Sequence, residues 1–418
     1  MKETLAIENV GWLLPCTGSP RGALTDWQQL GLQGPSDLLI ARQSARSGWC
    51  LEAIGHKGQY RDADRSIDLA GAGLCAGWID AHTHVVFAGD RASEFNRRLA
   101  GESYAKIAAE GGGILHTMKA TRAASVDELT EVAAPRIEQL HRWGAQVVEI
   151  KTGYGLNLDS ELHLLESIGR LRRQFEGRVR LMATAMPAHA IPPERRDNPQ
   201  RYIDEVCEEI LPAMADSGVV LNFVDMFIEK GYFTVNHASQ IARCADQLNL
   251  PIKAHIDEFV DLGGVPWAIE HGAVSVEHLL VTSPEHRAQL AQSDTVAVCL
   301  PLTSLFLRED YAQMRDMVDQ GGVIAVATDC NPGSAMSTNL HLALQLSVLR
   351  GGLTPQEAIR AVTRGAAQAL GGAQGALGWD GSLDIGGPFI ATVFDLNHPD
   401  QLFYELGAPP RSVAYDWG

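Results

Sequence analysis

From about residue 74 the chain repeats one pattern, a short apolar or β-branched run followed by a stretch with apolar residues at helical spacing. Alternation of this kind specifies parallel β/α units. The apolar runs fall at residues 74–84, 146–152, 179–189, 221–229, 252–258, 274–278, 296–301 and 323–329. Eight units is the number that closes a sheet on itself, so the sequence predicts the α/β class and a (β/α)8 TIM-like barrel. The intervening stretches carry the faces that would cover such a barrel, for example Val235, Ala238, Ile241, Ala242, Ala245 and Leu248, or Leu340, Ala343, Leu344 and Val348. Capping signals agree, since Ser125 with Glu128 and Thr354-Pro355 with Glu357 each precede an apolar-periodic run. Pro135 falls inside the first such helix and is expected to kink or delay it.

The flanks differ. Residues 1–72 and 376–418 are rich in Gly and Pro and hold short strand-like runs at 38–40 and 389–394. Neither flank can bury a core alone, so the expected arrangement is a small composite β-sandwich domain built from both chain ends, with the barrel of residues 73–375 inserted between them. With 45% hydrophobic and 20% charged residues, the composition is that of a chain that folds. A net charge of −17 and the lack of any basic patch argue against nucleic acid or anionic lipid as a partner. Met1-Lys2-Glu3-Thr4 does not read as a signal peptide and no run of about 18 apolar residues occurs, so a cytoplasmic location is expected. The seven cysteines are scattered and never in a Cys-x-x-Cys spacing, which suggests reduced thiols, with neither a disulfide framework nor a cysteine zinc site.

In β/α barrels the active site lies at the C-terminal ends of the strands. Here those ends are polar: Asp80-Ala81-His82-Thr83-His84, Lys151-Thr152-Gly153-Tyr154, Ala188-His189, Glu229, His255-Ile256-Asp257-Glu258, Glu277-His278 and Asp329. Each piece alone is weak, because 14 histidines make a chance His-x-His unremarkable, and His163-Leu164-Leu165-Glu166 shows that His-x-x-Glu occurs on a helix too. Coincidence of position is the stronger signal. His82, His84, His255 and Asp329 all fall at strand ends of one barrel, and three imidazoles with one carboxylate suit Zn²⁺ or another first-row metal. Water at an open position of such a site has its pKa drawn toward about 7, which makes hydrolysis of an electrophilic carbon the natural chemistry. Glu258, three residues past His255, is placed to shuttle a proton, and His278 and Asp329 to stabilise charge on the attacked centre. The ordinary alternative for Glu258 is a solvated loop carboxylate.

Several stretches resemble the amidohydrolase superfamily and, within it, the imidazolonepropionase family. They are residues 80–91, Gly111-Gly112-Gly113-Ile114, residues 120–125, residues 149–156 and Ala327-Thr328-Asp329-Cys330-Asn331-Pro332-Gly333. The resemblance covers nearly the whole chain. It implies one Zn²⁺ or Fe ion per chain on His82, His84, His255 and Asp329, with Glu258, His278 and Asp329 catalytic. It further implies Arg91, Tyr154, His189, Glu258, Asn331, Gly333 and Ser334 as contacts of a small cyclic amide bearing a carboxylate. The reaction it implies is hydrolytic opening of the ring of 4-imidazolone-5-propanoate to N-formimidoyl-L-glutamate in histidine degradation.

The residues fit those roles on their own terms. Arg91 offers the planar fork that takes a carboxylate bidentately, although taken alone it reads as a surface ion pair with Asp90. Tyr154 and His189 taken alone read as a packed aromatic and a satisfied core histidine. Binuclear members of the superfamily carry a carboxylated lysine late in strand four, whereas Lys151 ends strand two, which favours one ion; Glu229, ending strand four, is the residue able to bridge a second. Residues 88–122, with Glu110-Gly111-Gly112-Gly113, are expected to form a lid.

Thr303-Ser304-Leu305-Phe306, Ile228 and Met186-Pro187 depart from the family pattern near pocket-forming strand ends. His255-Ile256-Asp257-Glu258 also resembles the matching stretch of cytosine and guanine deaminases, so a deaminase of a nucleobase-like ring is the nearest rival, and a non-catalytic barrel the more distant one. A homodimer is the commonest assembly for such enzymes.

Overall fold

The computed structural model describes residues 2–44, 48–102, 106 and 112–407. Among the described residues the strands are β1 (Glu3–Val10), β2 (Trp12–Leu14), β3 (Ser36–Arg42), β4 (Cys50–Gly55), β5 (Arg65–Asp68), β6 (Gly73–Ala76), β7 (Trp78–Asp80), β8 (Ala145–Lys151), β9 (Arg180–Ala188), β10 (Phe223–Ile228), β11 (Lys253–Ile256), β12 (Ser275–His278), β13 (Val296–Cys299), β14 (Ile324–Val326) and β15 (Ala391–Phe394). They form an eight-stranded sheet in the order β14-β13-β12-β11-β10-β9-β8-β7, a four-stranded sheet β4-β3-β1-β5 and a three-stranded sheet β15-β6-β2. The strand pairs of the large sheet are parallel, and helices on its outside return the chain between strands. The architecture is therefore the expected barrel beside a small β domain.

Where the first and last barrel strands meet, the chain has already left regular strand. Thr83 bridges Cys330, the amide of Asp329 donates to the His82 carbonyl at 3.0 Å, and the amide of His84 donates to the Cys330 carbonyl at 2.9 Å. The seam thus runs through His82, His84 and Asp329.

Inside the barrel, alternate residues of each strand point to the axis. Val147, Glu149 and Lys151 on β8 and Phe223, Asp225 and Phe227 on β10 show the resulting layers. The apolar floor includes Ile79, Val147, Met182, Phe223 and Val298. Charged residues stand above it, all fully buried.

Two sequence expectations need correction. The run 74–84 is not one strand: it divides at Gly77, whose amide donates to the Ile390 carbonyl at 2.8 Å and whose missing Cβ would lie 2.7 Å from the Ile390 side chain. Residues 73–76 therefore belong to the small sheet, between β2 and β15, and only Trp78–Asp80 pair in the barrel. Pro135 does not break its helix, which runs unbroken from Val126 to Arg142. Pro135 and Glu131 are both exposed, so the carbonyl deprived of its partner is open to water. Both capping boxes form as read. Of the expected lid, residues 103–105 and 107–111 lie outside the described residues; the helices Ala92–Leu99 and Ile114–Ala123 bracket them. All seven cysteines are free thiols. Among the described residues no helix is long and apolar enough to cross a membrane.

Trp78 joins the two parts. Fully buried at the start of β7, its ring packs on Phe394 of β15 with centroids 5.0 Å apart and on His341 at 6.0 Å. Trp78→Ala is expected to remove about 3–5 kcal/mol of stability, read as a large drop in melting temperature; a shift of a degree or less would contradict this packing account.

Candidate active site

Potential ligand atoms of His82, His84 and Asp329 lie within 4.8 Å of one another, as do those of His82, His255 and His278. The His82 Nε2 is 3.3 Å from Asp329 Oδ1, the His84 Nε2 is 3.8 Å from the same oxygen, and the Nε2 atoms of His84 and His255 are 3.3 Å apart. The opposite ring nitrogens are held from behind. His82 Nδ1 donates to Glu277, and His255 Nδ1 donates to Asp225 at 3.1 Å. A neutral imidazole that donates from Nδ1 carries its lone pair on Nε2, which is the tautomer of a metal ligand.

These residues fit a cation. Burial, reinforced by Lys151 and neighbouring imidazoles, holds His82 well below the usual histidine range, and burial with His189 and His255 does the same for His84. Both are therefore neutral. The His255 Nε2 turns its lone pair toward the His84 Nε2 at 3.3 Å, and the buried His82 Nε2 has no hydrogen-bond partner. Asp329 completes the set. Burial pushes its carboxyl up to about 7, a desolvation cost that a facing divalent ion removes. Its other oxygen, Oδ2, accepts from Thr303 Oγ1 at 2.6 Å, leaving Oδ1 toward the histidines. Asp329 and His278 both adopt left-handed backbone, with φ of 53° and 79°, a strain of about 1–3 kcal/mol each that aims their side chains inward.

Beneath the histidines lies a closed charge lattice. Lys151 Nζ stands 2.7 Å from Asp225, 2.9 Å from Glu149 and 3.1 Å from Glu277, and Lys253 Nζ stands 2.9 Å from Glu149 and 3.0 Å from Glu277. All five side chains are fully buried. Against the desolvation of burial, Asp225 and Glu149 hold Lys151 above the usual lysine range, while burial, with help from Lys151, pulls Lys253 down to about 8. Lys151 is thus an ammonium among carboxylates. The Glu229 oxygens accept the amides of Lys230 at 2.7 Å, Phe259 at 2.9 Å and Val260 at 3.2 Å, which anchors the loop carrying Glu258.

Above the cluster opens a cavity of about 580 Å³. His84, His255, His278, Asp329 and Glu258 border it from the metal side, and Arg91, Tyr154, His189, Asn331, Gly333 and Ser334 from the others. Every candidate site residue is therefore in or directly beneath one space. Arg91 pairs with Glu94, at 2.8 Å, and not with Asp90, whose carboxylate accepts the Ala92 amide. The Arg91 Nη1 lies 2.2 Å from where a Cβ on residue 333 would stand, so a side chain there would displace the guanidinium. His189 donates from Nδ1 to the Gly153 carbonyl at 3.1 Å, and burial with His255 pushes its pKa to about 3. Asn331 is committed to its own turn: its Oδ1 accepts the amides of Gly333 and Ser334, both at 2.8 Å. Burial, then the carboxylates of Asp329, Glu229 and Glu309, raise Glu258 well above the usual range, so it carries a proton; its Oε2 is 3.8 Å from His278 Nε2.

Residues 74–413 match the amidohydrolase family model. The chain is 40% identical to the imidazolonepropionase of Chloroflexus aggregans, covering 97% of this chain and 95% of that protein. It is 38% identical to the imidazolonepropionase of Herpetosiphon aurantiacus, covering 99% and 96%. This chain belongs to the amidohydrolase family. Its fold is also that of the atrazine chlorohydrolase of Arthrobacter aurescens, solved in complex with zinc, with a TM-score of 0.66, 17% identity and coverage of 99% of this chain and 92% of that one. Family membership and the histidine–aspartate cluster together make it a metal-binding hydrolase.

Sequence reasoning passed over Asp225 and Lys253, met Glu149 and Thr303 only within longer stretches and without a role, and noted Glu277 only as a neighbour of His278. A signal existed: single charges at inward positions of otherwise apolar runs, as in Phe223-Val224-Asp225-Met226-Phe227, are rare without a partner. Asp225→Asn is expected to weaken metal affinity by about 10- to 100-fold, measured by competition with a chromogenic chelator on protein whose circular dichroism is unchanged; an unaltered affinity would show that Asp225 does not orient His255.

Proposed function

We propose that this chain uses a single Zn²⁺ or Fe ion to open the ring of 4-imidazolone-5-propanoate, giving N-formimidoyl-L-glutamate in the cytoplasmic degradation of histidine. The observation that carries the reading is Arg91 on the wall of the cavity that His84, His255 and Asp329 border. A guanidinium at that position holds the carboxylate of the side chain, so that the ring lies over the histidines. The full-length relatives named imidazolonepropionase support the same substrate.

His82, His84, His255 and Asp329 would hold the ion. When bound, it supplies Lewis acidity toward the ring carbonyl and acidifies water at neutral pH. The residues of the chain do the rest. Arg91 and Tyr154 orient the substrate; burial and Asp329 raise the Tyr154 pKa, which keeps its phenol a hydrogen-bond donor. His278 borders the place where negative charge develops on the carbonyl oxygen. Water adds to the carbonyl carbon, the carbon–nitrogen bond breaks, and Glu258 delivers a proton to the departing nitrogen. The water oxygen ends in the new carboxylate, and the nitrogen in the formimidoyl group.

Metal-replete protein is expected to accelerate loss of the ultraviolet absorbance of freshly made imidazolonepropionate above its spontaneous decay, and a chelator to abolish the acceleration. Arg91→Ala should lower kcat/KM by about 10- to 100-fold, the worth of a charge-assisted hydrogen bond. No acceleration, with ammonia released from cytosine or guanine in parallel, would overturn the proposal in favour of a deaminase.

A further inference from the structure

A second guanidinium borders the cavity, and neither the motifs nor the ring-opening chemistry assigns it. Arg98 lies seven residues after Arg91, which caps the helix Ala92–Leu99. Seven residues are about 20° short of two helical turns, so both side chains leave the helix on one face, with their Cα atoms about 10 Å apart. They nevertheless converge on one residue. Arg91 Nη1 fills the space above the Gly333 Cα, and Arg98 Nη2 donates to the Gly333 carbonyl at 3.1 Å.

Arg98 is also held in place. Its guanidinium lies over the ring of Phe306, 5.2 Å from Cζ to centroid, and over Phe95 at 5.9 Å, while the two rings pack 4.8 Å apart. Phe306 lies on the helix Pro301–Leu307, in the segment that departs from the family pattern. A guanidinium shelved on aromatic faces gives up little further freedom when an anion arrives.

The electrostatics of the cavity call for this charge. Its lining carries the carboxylates of Glu229, Glu309 and Asp329 beside the protonated Glu258, with Lys230 as a further cation, and Arg91 pairs with Glu94 at 2.8 Å. An anionic group passing these carboxylates is attracted more strongly by two guanidinium groups that converge on one point than by one. We infer that Arg98 is a specificity residue, and that Arg91 and Arg98 form a two-guanidinium clamp over Gly333 for the carboxylate of the substrate. The inference rests on the carboxylate-bearing substrate of the proposed function.

The test is a matched pair of probes titrated into the metal-loaded protein by calorimetry: 3-(imidazol-4-yl)propanoate, and 4-methylimidazole, which has the ring without the carboxylate. Wild type is expected to prefer the acid. Arg98→Gln should raise the Kd of the acid about tenfold or more and leave 4-methylimidazole within about twofold. Arg98→Lys should recover part of the preference, and Phe306→Ala should lose part of it. If Arg98→Gln keeps the full preference while Arg91→Gln abolishes it, or if Arg98→Gln weakens both probes equally, the clamp is refuted. A wild type that binds both probes alike would instead refute the carboxylate-bearing substrate, and the clamp with it.

Discussion

The site depends on a lattice of five buried charges. Lys151 and Lys253 stand among Glu149, Asp225 and Glu277, with nitrogen–oxygen distances of 2.7–3.1 Å and no solvent access. Removing one member of such a lattice leaves its partner buried and unpaired, at a cost of about 3–5 kcal/mol. Two ammonium groups and three carboxylates leave one negative charge, and two of those carboxylates, Asp225 and Glu277, are also the acceptors behind His255 and His82. The lattice therefore fixes the histidine tautomers and leaves negative charge beneath the place where a cation would sit. Fold stability and metal chemistry are joined in the same side chains.

The barrel supplies the second constraint. Its first and last strands meet through residues 82–84 and 329–330 rather than through β7 and β14 themselves. Three of the four proposed ligands lie on that seam, so closing the barrel and assembling the ligand set are one event. The left-handed backbone at Asp329 belongs to the same economy: it is tolerated because the Asp329 amide is bound by His82 and its Oδ2 by Thr303.

Much of this was legible from sequence, for identifiable reasons. Parallel β/α units announce themselves by alternating period, and active-site residues of a barrel gather at strand ends, so His82, His84, His255 and Asp329 stand out together. The lattice was harder to read. Glu149, Asp225 and Lys253 sit in mid-strand, and their partners come from other strands, so no local spacing reveals them. The division of residues 74–84 at Gly77 was hidden because its cause, the close approach of Ile390, lies more than 300 residues away. Arg98 was hidden differently: on an amphipathic helix it reads as solvated, and only the fold brings it to Gly333 and Phe306.

The proposed chemistry requires one ion, held by imidazoles that the lattice orients. Its most direct test is metal content by plasma mass spectrometry on protein dialysed after loading, with X-ray absorption at the metal edge. The account predicts one ion per chain and scattering dominated by imidazole. Two ions per chain, or a shell of carboxylate oxygens without imidazole, would contradict it.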